Sequence, residues 1–508
     1  MINVQKNLLL PYIIITIGIA VLAFYLYHQT ESNSKTADLT GVQLAQKYCS
    51  SCHAFVSPEL LPKNTWLLGV LPEMRTRLLA YYNFEDDYLN YSKNLHKPLI
   101  TSQDWQKIVD YFADSAPDSL TFPKKTPLKK SLKNFSSYFV NYVNDVPPHI
   151  TMLKVNSLEK LIYVSEGDKN QLLIFDKHGK KYDSLLVDSP ITDLAFEEDA
   201  LYLLTIGKMK PNDDSLGKLF KWKKGEAPKE VLEHLNRPVF MQLADLNQDG
   251  SKDMLIAEYG HEKGSLIWFE IGKEKTHKHI LNTYSGNLKS YLKDINGDGL
   301  LDIVSLVAQM NEGIYIYYNR GNGNFEEENL LTFPPIFGVT DFELLDWDND
   351  GDWDILLTNG DNADYSITLK NYHGFRIYLN DGKNNFTEKY FYQLNGAFKV
   401  RARDYDQDGD IDIGLISFFP NYTNLTNESF VYLENKNSSA LLFEASTFKQ
   451  ATEGHWMVIE AADIDSDGDL DIVIGSFSSA PVAPPPHLTN LWKSKKFPFL
   501  VLENNQAK

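Results

Sequence analysis

Two sets of residues in this 508-residue chain have types and spacing that point to chemistry. The first is Cys49-Ser-Ser-Cys52-His53. Two thiols at this spacing can each add to a vinyl group of one haem, and the adjacent His then lies under the iron as its proximal ligand. The second set is a nine-residue pattern, D-x-[DN]-x-D-G-x-x-D, present five times. It holds Asp245, Asn247, Asp249 and Asp253; Asp294, Asn296, Asp298 and Asp302; Asp346, Asp348, Asp350 and Asp354; Asp404, Asp406, Asp408 and Asp412; and Asp463, Asp465, Asp467 and Asp471. Oxygens at positions 1, 3 and 5 converge, the Gly at position 6 makes a tight turn, and a carbonyl at 7 with the Asp at 9 completes an oxygen shell. That is the ligand logic of a calcium loop. The expected cofactors are one covalent haem c and about five Ca²⁺.

Rival readings of the cysteines fit less well. A redox C-x-x-C wants a thioredoxin-like setting, and a zinc site wants a second ligand pair, but the chain has no other Cys. The acidic loops are not EF-hands, because position 12 holds Ile256, Ser305, Leu357, Leu415 or Ile474 in place of Glu. For the sixth iron position the expected ligand is Met74, whose thioether would raise the reduction potential. His96 is the rival, an open position is a third reading, and Met74 also shares an apolar helical stripe with Leu67, Val70, Leu71 and Leu78.

The surroundings suggest what holds these groups. Thr40 can cap a helix running into Cys49, and Thr101-Ser-Gln-Asp104 can open another with Trp105, Ile108, Val109 and Phe112 on one face. Residues 38–120 therefore resemble a small all-α, single-haem cytochrome c domain. Ahead of them, Leu8 to Tyr27 is an uncharged apolar run long enough to cross a bilayer, read as an anchor over residues 1–30 with a signal peptide as the alternative. Residues 121–140, rich in Lys and Pro, read as a solvated linker, or else as a basic patch that docks on an acidic surface of the second domain.

The acidic loops begin at 245, 294, 346, 404 and 463, a period near that of a four-stranded propeller blade, and each is flanked by strand-like residues. Residues 141 to 245 leave room for two blades without the loop. Residues 141–505 thus resemble the FG-GAP/VCBS repeat propellers, also found at the heads of integrin α chains, which implies an all-β, seven-bladed fold. The arrangement as a whole resembles bacterial membrane-anchored or secreted proteins in which a c-type cytochrome precedes such repeats.

The net charge of −19 argues against a nucleic-acid partner. No nucleophile elbow, phosphate loop or dinucleotide fingerprint occurs. Asp361, Asp364, His373 and Arg376 form a loop group that is either a small polar site or simply solvated, and His261 and His455 carry no assignment. The expected function is electron transfer by a membrane-tethered c-type cytochrome. Its body would be periplasmic or extracellular, its partner an unidentified redox protein, and the propeller a docking or scaffold module. The alternatives are a propeller dehydrogenase feeding the haem, and an adhesion protein.

Overall fold

The computed structural model describes residues 39–506 except 79–98, 141, 144–145, 272–275, 363–367, 424–425 and 480–483. It divides into two compact units, one formed by 39–51 with 57–120, the other by 52–56 with 121–508.

In the smaller unit the capping signals act as expected. Thr40 and Gln43 form a reciprocal capping box at the start of helix Gly41–Cys49. The Thr101 hydroxyl accepts the Asp104 N–H at the start of Ser102–Ser115. The two helices cross closely: a Cβ on Gly41 would lie 2.2 Å from the Lys107 carbonyl oxygen, so only Gly fits. Trp66 packs on Phe112 at 4.4 Å between ring centroids and donates its indole N–H to the Pro58 carbonyl.

The expected all-α cytochrome c domain behind a transmembrane helix is nonetheless corrected. Among the described residues no helix is long and apolar enough to cross a membrane, and the apolar run Leu8–Tyr27 lies outside them. Before the propeller the described helices are short, the longest being the 14 residues of Ser102–Ser115. They pack chiefly on one another through Leu44, Trp66, Ile108 and Phe112. Residues 52–56 group with the larger unit, so the C-x-x-C-H segment is divided between two bodies. Helical periodicity established that the terminal helices form; it could not establish what they enclose.

The larger unit is a seven-bladed β-propeller, as the repeat period implied. Its strands form seven four-stranded antiparallel sheets. Six are consecutive in the chain, over 150–186, 191–235, 238–282, 287–332, 339–393 and 397–446. The seventh takes three strands from 456–504, and its outermost strand is Phe135–Phe139, paired from Phe135↔Asn504 to Phe139↔Leu500. Joining the two ends of the unit in one sheet closes the ring. This strand precedes residue 141, inside the stretch read as linker.

The core lies between blades. One apolar cluster joins Met152, Ile174 and Leu194 of the first two blades, and another joins Val304, Ile316 and Phe342 of the fourth and fifth. The second strand of a blade is covered on both faces, so Asp302–Val307 and Asp471–Ser476 are buried at every position. Residues 121–133 run along this body. Lys125 pairs with Glu428 at 2.7 Å, Lys129 pairs with Glu444 and bridges Ser446, and Leu132 is buried. The basic segment docks on acidic residues of the sixth blade.

Candidate functional site

All five acidic loops occupy one place in the fold. Each joins the first and second strands of blades three to seven, as Leu345 to Asp354 or Ala462 to Asp471. Blades one and two make the same connection by short turns, from Asn156 to Leu161 and from Glu197 to Ala200.

The backbone of each loop is wrapped onto its own carboxylates. Position 6 is left-handed in every copy, with φ between 84° at Gly250 and 98° at Gly468. Position 4 is left-handed too, at Gln248, Gly297, Asn349, Gln407 and Ser466. The position-1 carboxylate accepts the N–H of position 6, as Gly351 N to Asp346 at 3.1 Å. The position-5 carboxylate accepts the N–H of position 7, as Asp352 N to Asp350 at 3.1 Å. These bonds fold the chain around a point faced by the remaining oxygen lone pairs. Gly351→Ala forces a Cβ into this conformation and is expected to cost about 1–2 kcal/mol in urea unfolding, with weaker ion uptake by that loop alone.

In three loops the convergence is direct. Asp346, Asp348 and Asp354 each bring one oxygen within 4.8 Å of the others, as do Asp404, Asp406 and Asp408, and Asp463, Asp465 and Asp471. In the first two loops position 3 is Asn247 or Asn296, which leaves three carboxylates, at 245, 249 and 253 and at 294, 298 and 302. Buried oxygens without a hydrogen-bond partner occur at Asp404 Oδ1, Asp406 Oδ1 and Asp253 Oδ1. Orphaned anionic oxygens beside one another are costly unless a cation sits among them. The residues present therefore fit a hard, oxygen-seeking ion.

The position-9 Asp is fully buried and does a second task that its spacing did not reveal. Asp354 accepts the Trp347 N–H at 2.8 Å and the Asn380 N–H at 2.8 Å. The same pair of bonds recurs at Asp302 and Asp471. At Asp412 the donors are the Asn435 N–H and the Tyr432 hydroxyl. Asn319 and Asn504 end the third strand of their blades, Asn380 directly follows its strand and Asn435 lies near the end of its own, and their role had no mark in the loop spacing. The Asn side chain donates back to the loop, as Asn504 Nδ2 to Leu470 O at 3.2 Å, and it can also reach the preceding blade, as Asn504 Nδ2 to Tyr405 O at 2.7 Å. The signal was present in Tyr-Tyr-Asn319, Tyr-Leu-Asn380, Leu-Glu-Asn435 and Leu-Glu-Asn504. Asn504→Ala should leave two buried carbonyls unpaired and cost about 1–3 kcal/mol of propeller stability by denaturant titration.

Burial, and then the neighbouring loop carboxylates, push Asp354 up to about 6 and Asp471 up to about 7. Burial likewise pushes Asp412 up to about 7, against the Tyr432 hydroxyl and the Asn435 N–H. An unfolded Asp titrates near 4, so between about pH 4 and 7 the native state holds more protons than the unfolded one. Stability of the metal-free protein should therefore fall as pH rises through that window. Thermal melts of metal-free protein at pH 5 and pH 7.5 should show the drop, and added calcium should abolish it by displacing the protons.

Other expected residues are placed as follows. Cys49 ends helix Gly41–Cys49 in the smaller unit, and burial pushes its thiol up to about 11. Cys52 is exposed, and neither cysteine is in a disulfide. His53 Nδ1 lies 2.8 Å from the Ala54 carbonyl oxygen. Met74 is half-buried on helix Leu71–Arg77, and His96 lies outside the described residues. Among the described residues the loop group forms no open site. Arg376 bonds to Asn359, to the Tyr372 carbonyl and to Glu388, with Phe337 and Phe391 against its guanidinium. His373 is buried, and Asp364 lies outside the described residues. His455 is stacked between Phe418 and Trp492 in the seventh blade, and the backbone N–H groups of His261, Glu262 and Lys263 bond to Asp213.

Comparison with known proteins agrees with the loop pattern. Residues 245–305 and 294–357 match the FG-GAP-like repeat family. A curated relative, a T-cell immunomodulatory protein homolog of Plasmodium falciparum, is 26% identical over 38% of this chain and 32% of its own length, so the chain spans about a third of that relative. Among solved structures, the Neurospora crassa Pan2 WD40 domain matches at TM-score 0.45 and 10% identity, covering 74% of this chain and 97% of that one. The Myceliophteria thermophila Cps50 (Swd1) β-propeller domain matches at TM-score 0.45 and 10% identity, covering 73% and 98%. With its acidic loops, its seven four-stranded sheets and the repeat match over 245–357, the chain contains a seven-bladed β-propeller carrying FG-GAP repeats.

Proposed function

We propose that this protein is a calcium-stabilised propeller that carries a covalent haem on residues 49–53 and transfers electrons to a redox protein partner, outside the cytoplasm. The observation that carries the calcium half is the recurrence of clustered carboxylates at one hinge of successive blades, with oxygens that lack donors. Each ion would be held by positions 1, 3, 5 and 9 of its loop and would tie the first two strands of a blade. The propeller is then a rigid docking or scaffold module.

The haem half rests on local chemistry. Neither cysteine is in a disulfide, and the Ala54 carbonyl beside His53 Nδ1 leaves Nε2 available to iron. When bound, the haem would supply one-electron chemistry. Cys49 and Cys52 would hold it covalently, His53 would be its proximal ligand, and Met74 would be the distal one. Protein made in cells with haem-attachment machinery should keep its haem through acid–acetone extraction, and Cys49→Ala with Cys52→Ala should lose it. Extraction of haem from wild type would overturn this half. Metal analysis finding zero or one Ca²⁺ per chain would overturn the other.

A further inference from the structure

The innermost strands of the blades are each seven residues long: Ile150–Asn156, Ile191–Glu197, Pro238–Ala244, Asn287–Lys293, Val339–Leu345, Ala397–Arg403 and Trp456–Ala462. Their third, fifth and seventh positions bring charges together around the propeller axis. Lys154 pairs with Asp193 at 3.2 Å, and Lys289 with Asp341 at 2.9 Å. Arg401 reaches Asp341 at 3.1 Å, Glu343 at 3.8 Å and Glu460 at 3.9 Å, and Arg403 reaches Glu343 at 2.9 Å. Three of these carboxylates also accept a backbone N–H from a neighbouring blade, from Met241, Val400 and Ala402. They are saturated. At the loop end, Glu197 pairs with Lys221 and Lys293 lies over Trp353, outside this network.

One cation is left over. Lys399, at the third position of the sixth blade, has no ion pair or hydrogen bond among the described residues. It feels Asp341, Lys289 and Asp193, which belong to the fifth, fourth and second blades. A group on blade six that senses blades two, four and five faces the axis. Burial lowers its tendency to hold a proton, and Asp341 opposes that. At the fifth position of blade three the Gln242 side-chain oxygen is also buried without a partner. An amide turned over would offer N–H donors there instead.

We propose that the propeller axis holds a binding site for one small, singly charged carboxylate, anchored by the Lys399 ammonium, with the Gln242 amide as a second polar contact. The half-buried Lys399 ammonium lies 5.7 Å from the Phe398 ring centroid and, among the described residues, has no anionic side chain in ion-pair contact, so a counter-anion would stabilise it. A monoanion cancels the single surplus charge, whereas a dianion such as phosphate would overshoot it against Asp193, Asp341, Glu343 and Glu460. This inference is independent of the haem and calcium readings.

The test uses the full-length protein and ¹³C-labelled acetate, titrated by NMR at constant ionic strength. Saturable binding at one site per chain is expected. Lys399→Met, a side chain already present at the same strand position as Met152, should weaken binding by about 10- to 100-fold, and Lys399→Arg should retain it. Chloride and phosphate should compete poorly. Absence of saturable binding to wild type overturns the proposal, as does equal binding by Lys399→Met or equal displacement by chloride or phosphate. If Lys399→Met fails to fold, wild-type saturation and anion competition still decide the matter.

Discussion

Withdrawing calcium from the protein should lower the unfolding temperature of the propeller sharply. Each filled loop stabilises the native state by RT ln(1 + [L]/Kd), about 2.7 kcal/mol at 100 Kd. Each emptied loop leaves three or four carboxylates around one point, with partnerless oxygens such as those of Asp404 and Asp406. Several sites acting together amount to a sizeable part of the roughly 5–15 kcal/mol that holds a domain folded. Differential scanning calorimetry with and without chelator should show this loss, with any covalent haem unaffected. Asp348→Ala removes one ligand of one loop and should lower the transition only moderately, because the other four loops remain intact. A melt indifferent to chelator would remove calcium from the account of this fold.

A chain that begins at residue 142 should lose stability on a comparable scale, by a different route. It lacks Phe135–Phe139, the outermost strand of the seventh blade, and with it the strand pairing that joins the two ends of the ring. Phe139 packs on Phe497, tilted by 34° at 3.9 Å between centroids, and Leu132 and Val140 are buried. At about 1.5–3 kcal/mol for each large apolar side chain, the loss is on the order of 5–10 kcal/mol. The truncation also bares the edge of Phe499–Asn504, a largely buried strand whose unpaired backbone invites self-association. Size-exclusion chromatography should find oligomers or aggregates, and a synthetic peptide spanning 121–140 should restore the monomer in part. A stable monomer without the strand would show that the ring does not need this closure.

The propeller was legible in the chain because its information is local and repeated. A Ca²⁺-type loop demands Asp at fixed offsets and Gly where φ is near 90°, and five copies at blade-sized intervals specify both the unit and its number. Even the blades without loops showed as apolar strand runs, because a strand covered on both faces has nowhere to place polar residues. What escaped was whatever depends on partners distant in sequence. Phe135–Phe139 pairs with residues more than 350 positions away, so nothing in its neighbourhood marks it as part of the ring. The basic segment read either as solvated linker or as a patch docking on the second domain, and the sequence could not choose because the acids that meet Lys125 and Lys129 are Glu428 and Glu444. The small unit shows the same limit: Thr40 and Thr101 announce their helices by capping, yet the apolar faces that follow say nothing about whether they close on a haem or on each other. Residue types and spacing thus established the loops, the blade count and the helix starts, since each is set by backbone geometry within a few residues. Ring closure, the docking of the basic segment, the double duty of the position-9 aspartates and the unpaired Lys399 at the axis arise only when the chain's ends and its seven inner strands are brought together, because burial and charge pairing are properties of neighbours in space.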